Sequence, residues 1–150
     1  MKRGLLFIPA ILFFYSSCNK NALTTAIDLK GGWYVDHILD KTTGNSEPSL
    51  IPADSVIIYF LNDSAYQGRT HHNLFGSVYT YNGDSLITFK YPLFYLLPED
   101  TLGERFLNVL RTCNLNNYPC PGRASHIELI GQDILIIDTK DRYKAFLKKI

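Results

Sequence analysis

The sequence predicts a mainly β (α+β) fold: a small antiparallel curled sheet or partly open barrel with one packed helix around 99–112. Three observations predict it. Most apolar residues fall in short runs with β-branched and aromatic bias, separated by turn-formers, which is how strands read. Asn82-Gly83 stands between two alternating runs, a hairpin signal because it supplies positive φ angles. Only one segment shows a helical stripe, and it is short enough to pack on a sheet.

The chain does not begin with any of these. Lys2 and Arg3 precede Leu5 to Tyr15, a run without charge, which ends at Ser16-Ser17-Cys18. That ending fits a membrane helix, one half of a disulfide or a processing site. A membrane-crossing helix needs about 20 apolar residues, and this run is shorter. Pro9 in its middle and the lack of a polar face argue against a buried amphipathic helix. A positive flank, a short apolar core and small residues before a cut describe a secretory signal peptide at 1–17.

Tyr15-Ser16-Ser17-Cys18 resembles a bacterial lipobox, with Tyr15 where Leu is usual. The resemblance implies cleavage before Cys18 and acylation of that residue, and hence a membrane partner through the acyl chains. Each buried methylene contributes about 0.8 kcal/mol, so several chains hold a protein firmly. Asn19 follows Cys18, not Asp, which directs the expectation to the outer membrane, facing the periplasm, with the cell surface as the alternative. The small polar stretch that follows makes 18–28 a tether.

Removing 1–17 leaves about 133 residues, with thirteen Lys plus Arg against fourteen Asp plus Glu. That length suits a single domain over 29–150. The near-neutral balance offers no basic field for nucleic acid.

The elements follow in order. In LKGGWYVDHIL, Trp33, Val35 and His37 alternate with Tyr34, Asp36 and Ile38, a strand with the first set facing inward. Lys41 to Ser55 is rich in turn-formers and reads as a loop. SVIIYFL is a strand, Asn62-Asp63-Ser64 a turn, and further strands run to about Thr70, from Ser77 to Tyr81 and from Ser85 to Phe89. Thr101 and Glu104 have capping-box spacing, and Glu99 and Asp100 favour a helix start. Leu102, Phe106, Val109, Leu110 and Cys113 then form one helical stripe, a core-facing pattern. SHIELI and DILIID are strands joined around Gly131-Gln132, and RYKAFLKKI is the last. Its lysines read as guards on an exposed sheet edge.

Several motifs invite a chemical reading. Gly83-Asp84-Ser85-Leu86 spells the name of an esterase family, but no DxxH follows to supply a histidine and its acid. Ser85 also follows a hairpin turn and leads into a strand. His71-His72 would point to opposite strand faces, and no spacing joins them to His37 or His126 in a zinc pattern. The reading is therefore non-enzymatic, with no catalytic residue, no metal and no cofactor. With Cys18 acylated, Cys113 and Cys120 remain as a candidate disulfide in an oxidising compartment. Closing that loop would stabilise the fold by about 2.5 kcal/mol in the chain-entropy model. Two unlinked thiols are the alternative.

Gly68, Asn73, Gly76 and Tyr79, followed by Gly83 and Leu86, resemble the segment that marks the META (HslJ-like) domain of bacterial lipoproteins. Glu104, Phe106, Leu107 and Leu110 approximate its helix, Tyr118 the tyrosine after it, and IELIGQDILII its late hairpin. The likeness spans about Leu29 to Lys149. His72 replaces the cysteine before Asn73, and YPLFYLL replaces a cysteine-bearing segment, so a family disulfide there is absent. The resemblance implies a binding or structural role in envelope integrity or stress tolerance, and carries no catalytic residues. Separately, Gly31-Gly32-Trp33 is similar to the G-x-W opening of lipocalins. That points to the alternative of a carrier for a small hydrophobic ligand, although its helix would lie mid-chain. The identity of a protein or small-molecule partner is not legible.

Overall fold

The computed structural model describes residues 27–49, 55–83, 85–94, 97–111 and 124–150, without the side chains of 91–94. The signal at 1–17, Cys18, most of the tether, Tyr118 and the Cys113 and Cys120 pair all lie outside the described residues.

The strands are β1 (Gly31–Asp40), β2 (Ser46–Pro48), β3 (Ile57–Phe60), β4 (Ala65–Arg69), β5 (Leu74–Tyr81) and β6 (Leu86–Phe94). Helix α1 (Thr101–Leu110) follows, then β7 (Ser125–Ile130), β8 (Ile134–Asp138) and β9 (Tyr143–Lys149). All described pairings are antiparallel, each strand bonds to the next along the wall, and β9 returns to pair with β1 from Trp33↔Lys149 to Asp40↔Tyr143. Eight strands thus close a barrel. The first half of β1 pairs with β3 and its second half with the short β2.

The barrel is closed, not a curled sheet or a partly open barrel. The physical reason is the length of β1, ten residues that bond along both sides. Closure also corrects the reading of β9, which has neighbours on both flanks and no edge to guard. Its lysines instead make cross-strand ion pairs, Lys148 to Asp36 at 2.7 Å and Lys144 to Asp138 at 3.7 Å. The shortest seam is β6–β7, where the ladder among described residues is Leu86↔His126 and Ile87↔Ser125.

Alternation sorts the side chains. Trp33, Val35, Ile58, Phe60, Tyr66, Phe75, Tyr79, Ile87, Phe89, Ile127, Leu135, Ile137, Ala145 and Leu147 are all buried in one cluster. In β1 the alternation breaks at a bulge between Val35 and His37. Ile38 therefore takes the core position expected of His37, and His37 stacks outside on Phe146 at 4.2 Å.

The helix starts one residue earlier than the capping-box spacing indicates. Asp100 is the cap and accepts from the Gly103 N–H at 2.7 Å. Leu102, Phe106, Val109 and Leu110 are buried as the stripe predicts, and Leu107 joins them. The β5–β6 turn also differs from a tight two-residue hairpin. Gly83 (φ 81°) and Ser85 (φ 66°) carry the positive angles, while Asn82 does not. Instead Asn82 works through its side chain, whose Oδ1 accepts from Leu86 N–H at 3.1 Å. Ser85 is a turn residue whose carbonyl accepts from Ile127 N–H at 2.7 Å.

Candidate functional site

The barrel has two unlike ends. At one, the connections β3–β4, β5–β6 and β7–β8 are short turns. Trp33 lies fully buried there, its indole N–H donating to Leu29 O at 2.8 Å and its ring covered by Lys149 at 5.1 Å. The Tyr79 hydroxyl donates to Asn62 O at 2.7 Å, and Asn62 Oδ1 holds the turn through Ser64 N–H and Ala65 N–H. The first strand and a paired tyrosine thus seal this end with satisfied polar groups.

The other end carries two short turns, β4–β5 and β8–β9, together with the long β6–β7 connection that holds α1, which packs against β1, β2 and β9. Phe106 reaches Phe75 at a ring distance of 5.9 Å, so the helix roofs the barrel. The β4–β5 turn holds this roof. Asn73, nearly fully buried, bonds Leu97 in both directions: Nδ2 donates to the carbonyl and Oδ1 accepts from the N–H, each at 2.9 Å. Glu99 Oε1 accepts from both the Thr70 hydroxyl and the Asn73 amide. His71 Nδ1 bonds Asp100, whose other oxygen caps the helix. Burial alone would push the Asp100 carboxyl up. The Gly103 N–H, the His71 bond and the charges of His71 and His72 outweigh it and hold the group below its ordinary value.

Between the ends, the middle of the barrel is aromatic. The Tyr66 ring lies 5.1 Å from Phe89 and 6.5 Å from both Tyr79 and Phe75, and Phe60 meets Tyr79 edge-on at 5.1 Å. Such pairs hold one another by quadrupole as well as by area. Tyr66 is 2% exposed, and its hydroxyl has no hydrogen-bond partner among the described residues. Burial pushes this phenol well above its ordinary range. A buried tyrosine hydroxyl normally has a partner, which makes this atom the odd one in an otherwise apolar interior.

The residues singled out by their spacing serve this architecture. Phe75 occupies the space that a side chain on Gly68 would need, with the Ile57 carbonyl on the other side. Gly76 pairs with Gln67 on the outer face. Asn73 staples the roof, Tyr79 the sealed end, Gly83 the turn, and Leu86 opens β6. His71 and His72 sit in the β4–β5 turn, not on a strand, and their rings lie 6.5 Å apart nearly at right angles. Among the described residues no group of three His, Cys, Asp or Glu side chains is placed to hold a metal. Spacing passed over Thr70, although Thr-x-x-Asn is a local turn signal, and it passed over Tyr66, whose inward direction follows from alternation but whose missing partner does not.

No known family profile matches the chain, and no curated protein does. Among solved structures, a protein from Burkholderia xenovorans determined by NMR has a TM-score of 0.58 and 14% identity, over 86% of this chain and 87% of that one. The likeness is one of fold. A lipocalin-like protein from Bacteroides uniformis gives a TM-score of 0.49 and 20% identity, over 83% of this chain and 100% of that one.

Proposed function

We propose that the chain is a non-enzymatic, lipid-anchored envelope protein whose barrel carries a small hydrophobic ligand. The observation that carries this reading is the Tyr66 hydroxyl, buried without a partner among the described residues in an aromatic-walled, eight-stranded barrel. Barrels of that strand number are just wide enough to be filled by side chains or to hold one small ligand. A ligand with one hydrogen-bonding group would satisfy Tyr66 and use the rings for the rest of its surface. The G-x-W opening at Gly31 to Trp33 agrees with such a carrier. The anchor is the acylated Cys18.

One observation favours a second reading, the binding or structural role in envelope integrity that the META resemblance implies. The described inward side chains are packed against one another and nearly all fully buried. A filled barrel is a scaffold more than a container.

Two measurements on the native chain separate these readings. Mass spectrometry is expected to find acyl chains on Cys18, lost in Cys18→Ala; an unacylated, secreted product would refute the anchor. Titration with the neutral probe N-phenyl-1-naphthylamine is expected to saturate at one site per barrel. Absence of saturable binding leaves the scaffold reading.

A further inference from the structure

The walls of the barrel differ as much as its ends. Around β7, β8, β9 and β1 the outer face is largely ionic, Ile130 at 49% exposure apart: His126, Asp138 and Lys144 stand in register, and Asp36 pairs with both Lys148 at 2.7 Å and His37 at 2.9 Å. Around β3, β4 and β5 it is not. There the register aligns Arg69 with Leu74 in one outward row, beside the buried Ile57, and Tyr59, Gln67 and Gly76 in the next. Ala65 and Val78 form a third row with Leu61, whose N–H bonds Ala65 O at 2.9 Å. Residues directly opposite on one face lie about 5 Å apart, so these rows make one surface. Its polar members are Gln67 and Arg69. Tyr59 is 39% exposed, Val78 46%, Leu61 54% and Leu74 61%. Tyr59, Gln67, Arg69 and Leu74 also border a groove of about 340 Å³ over the Gly68–Phe75 rung.

Contiguous exposed apolar surface marks an interaction site. Its place in the fold says which. Lys30, near the start of the described chain, pairs with Asp63 at 3.1 Å. The β3–β4 turn that follows Leu61 therefore lies beside the point where the chain leaves the barrel towards Cys18. Fully extended, the stretch from Cys18 to Ile27 reaches at most about 30 Å. An anchored barrel is held close to the bilayer by the end of its apolar wall. At that effective concentration even weak contact is occupied.

We propose that the β3–β4–β5 wall is a membrane-facing surface, on which Tyr59, Leu61, Leu74 and Val78 rest in the headgroup region of the bilayer that holds the anchor. Tyrosine suits that interface because its ring is apolar and its hydroxyl is wet. The opposite wall, where His37, Lys144 and Lys148 are in ion pairs, faces away. The inference rests on the lipid anchor proposed above.

Hydroxyl-radical footprinting tests it on the full mature chain, anchored in phosphatidylethanolamine–phosphatidylglycerol vesicles and compared with a soluble Cys18→Ser chain. Modification of Tyr59, Leu61 and Leu74 is expected to fall at least threefold on the vesicles, with Tyr34, His126 and Phe146 unchanged. Leu61→Ser together with Val78→Ser, both exposed and so harmless to folding, is expected to restore modification of Tyr59. Equal modification of both walls overturns the proposal even where acylation of Cys18 is confirmed. If Cys18 carries no lipid, the same chain tethered by an N-terminal histidine tag to nickel-chelating vesicles decides: protection of the apolar wall upholds the surface without the natural anchor, and no protection refutes it.

Discussion

Replacing Tyr66 by Phe removes one oxygen and nothing else from the barrel. The ring keeps its neighbours, Phe89 at 5.1 Å and Tyr79 and Phe75 at 6.5 Å, so no cavity forms and no rotamer changes. What disappears is a buried hydroxyl without a partner among the described residues. Leaving such a group unsatisfied costs about 1–3 kcal/mol, and the variant should recover a similar amount. For a domain of this size each kcal/mol raises Tm by about 4 °C. Urea unfolding of Cys18→Ser chains with and without Tyr66→Phe measures this directly. The alkaline side supplies a second measurement. Burial raises the Tyr66 phenol in the folded state, while the unfolded chain titrates near its usual value of about 10. Below that value both states keep the proton. Above it the unfolded state loses the proton and the folded state does not, so stability falls by up to about 1.4 kcal/mol per pH unit. Tyr66→Phe should remove this share of the alkaline loss. If the barrel carries a ligand, the same variant should bind it less tightly while being more stable, a combination that a merely structural tyrosine would not show. A variant less stable than its parent would refute the reasoning, because it would mean that the hydroxyl already has a partner.

The remaining predictions concern the frame around that residue. Gly68→Ala should destabilise by about 1–3 kcal/mol, at the upper end because the Ile57 carbonyl beside the new methyl belongs to a paired strand; thermal melting checks it. Asn73→Ala removes both bonds to Leu97 and one to Glu99. It should cost about 2 kcal/mol and speed hydrogen exchange in α1 before any change in β7–β9. Asp100→Ala deletes the helix cap and should cost about 1 kcal/mol. Because the Asp100 carboxyl is held below its ordinary value, its contribution is present above the unfolded value of about 3.9. It fades as pH falls through the folded value, so parent and variant should converge in strong acid. For Cys113 and Cys120, thiol titration of the correctly exported chain should find no free thiol until reductant is added.

The longer strands and their inward alternation were legible because they depend on local period, which each run carries in itself; the three-residue β2 (Ser46–Pro48) lies in the stretch read as a loop, too short to show a period. Helix α1 was legible for the same reason as the longer strands. Closure was not, since it depends on β1 meeting β9 over more than a hundred residues of sequence, and nothing local marks a pairing of that range. The bulge before His37 hid in the same way: one unpaired residue reverses every later direction in β1, so Ile38 and His37 exchanged faces. The cap moved by one residue because Asp100 and Thr101 are both good caps, and contacts with the β4–β5 turn choose between them.

The candidate site shows the limit more sharply. Gly68, Asn73 and Tyr79 stand out by spacing, and each serves a distinct part of the frame: room for Phe75, the roof and the sealed end. None of them is the residue on which the proposed carrier role rests. Tyr66 lies two positions before Gly68 and reads as one more aromatic in a strand. Its interest comes from what its described neighbours lack, a donor or acceptor within reach, and that is set by the packing of several strands together. The outer wall follows the same logic. Tyr59, Leu61, Leu74 and Val78 are unremarkable singly, since exposed apolar residues are common. They become a surface only when the register of three strands sets them in adjoining rows, and a surface with a direction only when Lys30 and Asp63 place the tether at one end of it.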